Sequence, residues 1–130
     1  MCALVGLSIA CHRGSAAGGT GALLPSFLEV DNLNRLDVVV YLVRDGVTSR
    51  LGSASSFRVT RFELALPPTS VGDMRFLAEP TGARSGFTRR VTSDMVVVKP
   101  GYIVRWRLES DLQRSFIEVR AMDPEERTGQ

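Results

Sequence analysis

An all-β domain, built as two antiparallel sheets packed face to face, is the fold this sequence predicts. From Pro25 onward, Gly, Pro, Asn and Asp turn signals recur at short and nearly regular spacing. The segments between them alternate apolar with polar residues, the two-residue period of a half-buried strand. No segment carries a 3.6-residue apolar period. The length of 130 residues allows one domain. A hydrophobic fraction of 44% against 23% charged is that of a globular chain with a core, which argues against disorder in the body.

The elements follow in order. Phe27 to Asn32 alternates, with Leu28 and Val30 on one side and Glu29 and Asp31 on the other. Leu36 to Arg44 is a near-continuous run of Val, Tyr and Leu, which predicts a central strand covered on both faces. Asp45-Gly46 is a two-residue hairpin turn, Thr48 to Leu51 the return strand, and residues 52–56 a loop. Phe57 to Leu66 breaks phase, since Phe57 and Val59 keep one alternation while Phe62, Leu64 and Leu66 keep the other. A bulge near Thr60-Arg61 would reconcile them.

Met74 to Ala78, Phe87 to Val91 and Met95 to Val98 read as further strands, the last expected to form a hairpin with Tyr102 to Leu108 through Lys99-Pro100-Gly101. On that strand Tyr102, Val104, Trp106 and Leu108 share one face while Arg105, Arg107 and Glu109 share the other. Arg114 to Val119 ends the set with Ile117 and Val119 inward. Core packing is expected for Tyr41, Phe57, Phe76, Tyr102 and Trp106, whereas Phe87 and Phe116 point outward. The tail from Asp123 is polar and expected to fray.

Roughly seven to nine short strands with an inward Trp106 resemble the immunoglobulin-like β-sandwich. The Cys pair of antibody domains is missing, so the resemblance implies the general sandwich. A small closed barrel is the alternative.

The placement of reactive residues excludes much chemistry. Cys2, Cys11 and His12 all fall in the first dozen positions, and from Arg13 to Gln130 there is neither Cys nor His. Zinc sites made of those ligands, thiol nucleophiles and Ser-His-Asp triads are thereby ruled out of the body. The Gly-rich stretches lack the strand-loop-helix setting of a phosphate site. No cofactor or metal is expected; any enzyme here would have to work with carboxylates, hydroxyls, cations such as Arg105 or backbone amides, and a carboxylate-based hydrolase is the third reading after the two binding roles. The net charge of +2 is small and dispersed, which argues against a nucleic-acid partner.

The N-terminal segment reads differently from the body. Residues 1–10 read as a signal segment in which residues 2–10 form an apolar stretch of the length of a secretory h-region, too short to span a membrane. Ser8-Ile9-Ala10-Cys11 resembles the lipobox of bacterial lipoproteins, with Ala10 as the small residue before the cysteine. The resemblance implies cleavage before Cys11, lipidation of its sulfur and an extracytoplasmic, membrane-anchored protein. Ser8 stands where leucine is usual, and no basic side chain precedes the apolar run. Residues 11–24, rich in Gly, Ala and Ser, then make a flexible tether, residues 25–122 the sandwich and 123–130 the polar tail. The competing reading makes residues 3–9 a buried edge strand. The length of the Gly/Ala/Ser run, long for a connection inside a compact domain, favours export.

Two clusters invite a binding role. Arg84, Arg89 and Arg90 lie in or beside the loop TGARSGFTRR, with Phe87 among them, while Arg105, Arg107 and Phe116 lie on outward phases of later strands. Brought together they would dock an acidic partner or anionic headgroups. Kept apart, they would be a solvated face whose arginines pair with Glu109, Glu118 or Asp94. Asp31-Asn32-Leu33-Asn34 with Asp37 has the oxygens for calcium but no EF-hand spacing, and turn capping accounts for it. The function expected is that of a non-catalytic, membrane-anchored binding or accessory subunit of a larger membrane or envelope complex. The alternative is a stand-alone ligand- or carbohydrate-binding module.

Overall fold

The computed structural model describes residues 24–66, 72–82 and 90–128. Among these residues nine strands form two sheets: β1 (Ser26–Asn32), β2 (Val38–Arg44), β3 (Val47–Ala54), β4 (Arg58–Leu64), β5 (Gly72–Pro80), β6 (Val91–Thr92), β7 (Val96–Val98), β8 (Tyr102–Leu108) and β9 (Phe116–Ala121). The first sheet runs β4-β1-β8-β9. The second runs β3-β2-β5, with β6 and β7 both pairing β5. The all-β sandwich read from the sequence is the architecture found. Its strand order is its own. In antibody domains the first strand neighbours the second, whereas here β1 lies between β4 and β8, parallel to β8; every other described pair is antiparallel.

Alternation builds the core. Leu28 and Val30 of β1 and Val104, Trp106 and Leu108 of β8 point inward from the first sheet, meeting Val38, Val40, Met74, Phe76 and Ala78 from the second. Trp106 and Phe76 span the layers with ring centroids 6.3 Å apart. A one-residue slip of β1 would bring Glu29 and Asp31 into this core, so burial alone fixes the register.

Several expectations need correction. Outer residues Val39, Tyr41 and Val43 of β2 are half-buried, because no second layer covers that face among the described residues. The Asp45-Gly46 turn is present with positive φ at both positions, but β3 continues through Ala54 instead of ending at Leu51. The bulge lies there, where Val40 faces Gly52 and Tyr41 faces Arg50, leaving Leu51 as the extra residue. A Cβ at Gly52 would sit 2.7 Å from the Phe62 ring.

β4 is in unbroken register with β1, so its phase break is not a bulge. Val59 lies on the outer face and is exposed. Phe57 sits in the turn before β4 at φ 55, 70% exposed, and is not a core residue. Met95–Val98 is not the hairpin partner of β8, since β7 pairs β5 in the other sheet.

The tail is not frayed through Thr128. Asp123-Pro124-Glu125-Glu126 starts a short helix, α1 (Pro124–Thr128), with Pro at its first position. Glu126 accepts from the Asp123 backbone N–H at 3.0 Å, the reciprocal half of a capping box. Just before it, Met122 joins Phe27 and Ile103 in a second apolar cluster. Phe27 and Ile103 lie on the outer phase of β1 and β8, so the C-terminal segment covers the lower end of the first sheet's outer face.

An arginine ladder on the first sheet as the candidate functional site

On the outer face of the first sheet, side chains align in rows across β4, β1, β8 and β9. One row is Arg61-Glu29-Arg105-Glu118; the next is Val59-Asp31-Arg107-Phe116. At about 4.8 Å between strands, each row is roughly 15 Å wide.

Glu29 is the anchor of the first row. Arg61 of β4 donates from Nε and Nη2 to one carboxylate oxygen, and Arg105 of β8 donates from Nη2 to the other at 3.3 Å. Burial by itself would raise the Glu29 pKa. The hydrogen bonds and charges of Arg61 and Arg105 outweigh it and hold the carboxyl below its ordinary value. The group is therefore ionised at neutral pH with both oxygens occupied, an acceptor without a proton to give. The Arg61 guanidinium also lies 5.0 Å above the Phe27 ring, which ties the ladder to the lower apolar cluster.

In the second row Arg107 donates from Nε to Asp31 at 3.1 Å, and its guanidinium lies 5.6 Å from the Phe116 ring centroid. Phe116 is 46% exposed and Val59 63%. A guanidinium held between a carboxylate and an aromatic ring keeps exposed donors while its rotamers are already restricted, which lowers the entropy lost on docking. The row therefore presents an ordered Arg with apolar residues at both ends.

The structure brings Arg105, Arg107 and Phe116 together on this face. It does not bring Arg90 to them: Arg90 precedes β6 of the second sheet and pairs with Glu79 at 3.2 Å. Cys11, Arg84, Phe87 and Arg89 lie outside the described residues. The partners of the arginines are also not those considered from sequence, being Glu29 for Arg105 and Asp31 for Arg107. With Glu29, Asp31 and Glu118 interleaved among the guanidiniums, the face is charge-balanced instead of basic. Sequence reasoning missed Arg61 and Val59, because the assumed bulge confused the phase of β4. The matching spacing of Glu29 and Asp31 on one strand with Arg105 and Arg107 on another was a readable signal.

The clustered oxygens after β1 serve the turn. Asn32, fully buried, donates to the Leu36 and Ala54 carbonyls and accepts from the Asn34 N–H; Asn34 Oδ1 in turn accepts from the Leu36 N–H. Asp37 accepts from the Ser56 N–H at 2.8 Å. A polar cleft of about 260 Å³ opens beside the far edge of β9, lined by Arg90, Thr92, Asp94, Gln113 and Ser115 over Trp106.

At the lower end, Arg120 of β9 grips Glu126 with two hydrogen bonds of 2.9 Å, and Glu126 is held down to a pKa of about 2 by that guanidinium and by the Asp123 N–H. A lowered folded-state pKa stabilises above the unfolded value, and the contribution is lost as pH falls through the folded one. The clasp of α1 is thus expected to be intact at pH 5 and to release between about pH 4.5 and 2. Amide chemical shifts of Met122 to Arg127 should follow one titration with its midpoint near pH 2, at the bottom of that window. A midpoint near the ordinary glutamate value of 4.5 would show that the clasp does not hold the helix.

No family model matches this chain, and no curated protein matches it.

Proposed function

We propose that this protein is a non-catalytic, lipid-anchored extracytoplasmic sandwich that acts as a binding or accessory subunit of a membrane or envelope complex. The observation that carries the reading is the Val59-Asp31-Arg107-Phe116 row, together with its position along β1. Residues 1–23 precede β1, which starts at Ser26, and Asp31 lies five residues further along that strand. At about 3.3 Å per residue, the row stands roughly 17 Å from the point where the tether enters the fold. A domain held at Cys11 by a flexible tether would be free to turn its ordered Arg and exposed Phe toward another protein.

The test has two arms. The wild-type chain should partition into the detergent phase with a lipidated Cys11, while Cys11→Ser should move to the aqueous phase. A photo-crosslinker at Phe116 should capture a discrete partner that the same probe at Arg75, on the outer face of the other sheet, does not. Arg107→Glu should weaken that partner's binding by roughly 30-fold or more, the size of an interface hot spot. An unmodified Cys11 in an aqueous-phase protein would remove the anchor. Equal capture from both faces would remove the docking row.

The polar cleft over Trp106 favours the second reading, a small ligand- or carbohydrate-binding module. Saturation-transfer spectra with simple sugars that respond to Gln113→Ala would support it against the first.

A further inference from the structure

We infer that β3 is a contact between two copies of this chain, which pair antiparallel about Ser49 so that their second sheets join into one. The inference is independent of the anchor and of the arginine ladder.

Every open sheet edge offers unpaired N–H and C=O groups, and folded proteins usually blunt it with charges, proline, bulges or short strands. Among the described residues three of the four edges are blunted along their length, and β3 only towards its end, by the bulge at Leu51. β4 carries Arg58, Arg61 and Glu63 among seven residues. β9 carries Glu118 and Arg120. The edge opposite β3 is divided between the short strands β6 and β7. β3 is eight residues long with one charge, Arg50, and no proline. Its segment from Val47 to Arg50 is exposed throughout, and among the described residues its only ladder partner is β2.

The two-residue turn fixes which groups are free. In such a hairpin the pair that closes the loop, here Arg44 and Val47, exchanges both hydrogen bonds, and bonded and non-bonded pairs then alternate. Val47 and Ser49 therefore direct their N–H and C=O toward β2, while Thr48 and Arg50 direct theirs outward. A second β3 placed about a two-fold axis at Ser49 sets Thr48 opposite Arg50 of the other copy, twice over, for about four backbone hydrogen bonds.

The side chains suit this register. Arg50 faces a neutral Thr48 and not its own symmetry mate, so no like charges oppose each other. Val47, 63% exposed although on the inward phase of its strand, falls opposite Leu51 of the other copy. That half-buried residue is the extra one of the bulge, and the pairing covers both. Centring on Arg50 would set the two guanidiniums opposite each other, and centring on Thr48 would leave Leu51 beyond the turn of the other copy. The bulge at Leu51-Gly52 limits the pairing to this short stretch. Its area falls below the roughly 1,200 Å² of stable interfaces, so the dimer forms at high local concentration and dissociates when diluted.

Ser49 lies at the axis as a non-bonded pair, with Cα atoms about 4.5 Å apart, within disulfide reach. The test uses the full chain with Cys2→Ser and Cys11→Ser, carrying Ser49→Cys or, as a control on the same strand, Ser53→Cys. Under mild oxidation at about 1 mM protein, the first should give at least tenfold more disulfide dimer than the second. Adding Val47→Lys, which sets an exposed charge opposite the apolar Leu51, should reduce the yield at least tenfold with the circular dichroism spectrum unchanged. Equal cross-linking at both positions, a monomeric Ser49→Cys protein, or a yield unaffected by Val47→Lys would each overturn the inference.

Discussion

Trp106→Ala is expected to lower the stability of the domain by about 3–5 kcal/mol, the largest single effect in this chain. Trp106 is 1% exposed, lies on the inward phase of β8, and meets Phe76 of the opposite sheet. Removing the indole leaves a void between layers. β8 cannot move in to fill it, because hydrogen bonds to β1 on one side and β9 on the other hold its position. For a domain of about a hundred residues each kcal/mol corresponds to roughly 4–8 °C, so the melting temperature should fall by roughly 12 °C or more. Trp106→Phe keeps one ring against Phe76 and should cost about half as much. Urea titrations followed by far-ultraviolet circular dichroism read both. A Trp106→Ala protein within about 1 kcal/mol of wild type would mean that the interlayer contact is not the centre of the core.

The second large effect is expected at a polar residue. Asn32 has no exposed surface, and its side chain ties three backbone positions: the Leu36 and Ala54 carbonyls as acceptors and the Asn34 N–H as donor. It joins the crossover between sheets to the end of β3. Alanine there strands those groups away from water, at about 1–3 kcal/mol for each that no solvent reaches. A total loss of about 2–4 kcal/mol is expected. Asn32→Asp should do similar damage, because both amide donors are lost and a charge is buried in their place. Hydrogen exchange separates the outcomes, since protection should collapse first at Leu33 to Asp37 and at the end of β3. Uniform loss across the domain would indicate a packing effect instead of a broken turn.

The parts of this molecule that were legible in its sequence are those where one face of a strand meets the core. Leu28 and Val30 on β1, and Val104, Trp106 and Leu108 on β8, declared their direction by simple alternation, and Asp45-Gly46 declared its turn. What alternation does not encode is which strand lies beside which. The hairpin proposed for Met95–Val98 and β8 was plausible by proximity in the chain, yet β7 crosses to pair with β5. The same gap hid the candidate site. Glu29 and Arg105 are 76 positions apart, and only the β1–β8 pairing makes them neighbours. Phe57 was misjudged because a bulky residue at positive φ is rare and leaves no local mark. The Asp-Pro-Glu-Glu start of α1 was readable but stood in a segment too short to show a helical period.

The position of β1 has a consequence for how the chain acquires its structure. The earliest described strand in the chain belongs at the middle of a sheet, and one of its two neighbours is β8, more than seventy positions later. Of its two native neighbours only β4 precedes β8 in the chain, and without β8 Leu28 and Val30 lack the Trp106 and Leu108 side chains that enclose them. Such distant pairings must close a long loop before any contact repays the loss of chain entropy, and this slows the folding of β-sandwiches to milliseconds or longer. The native sheet around β1 is therefore completed only once β8 is available to pair with it.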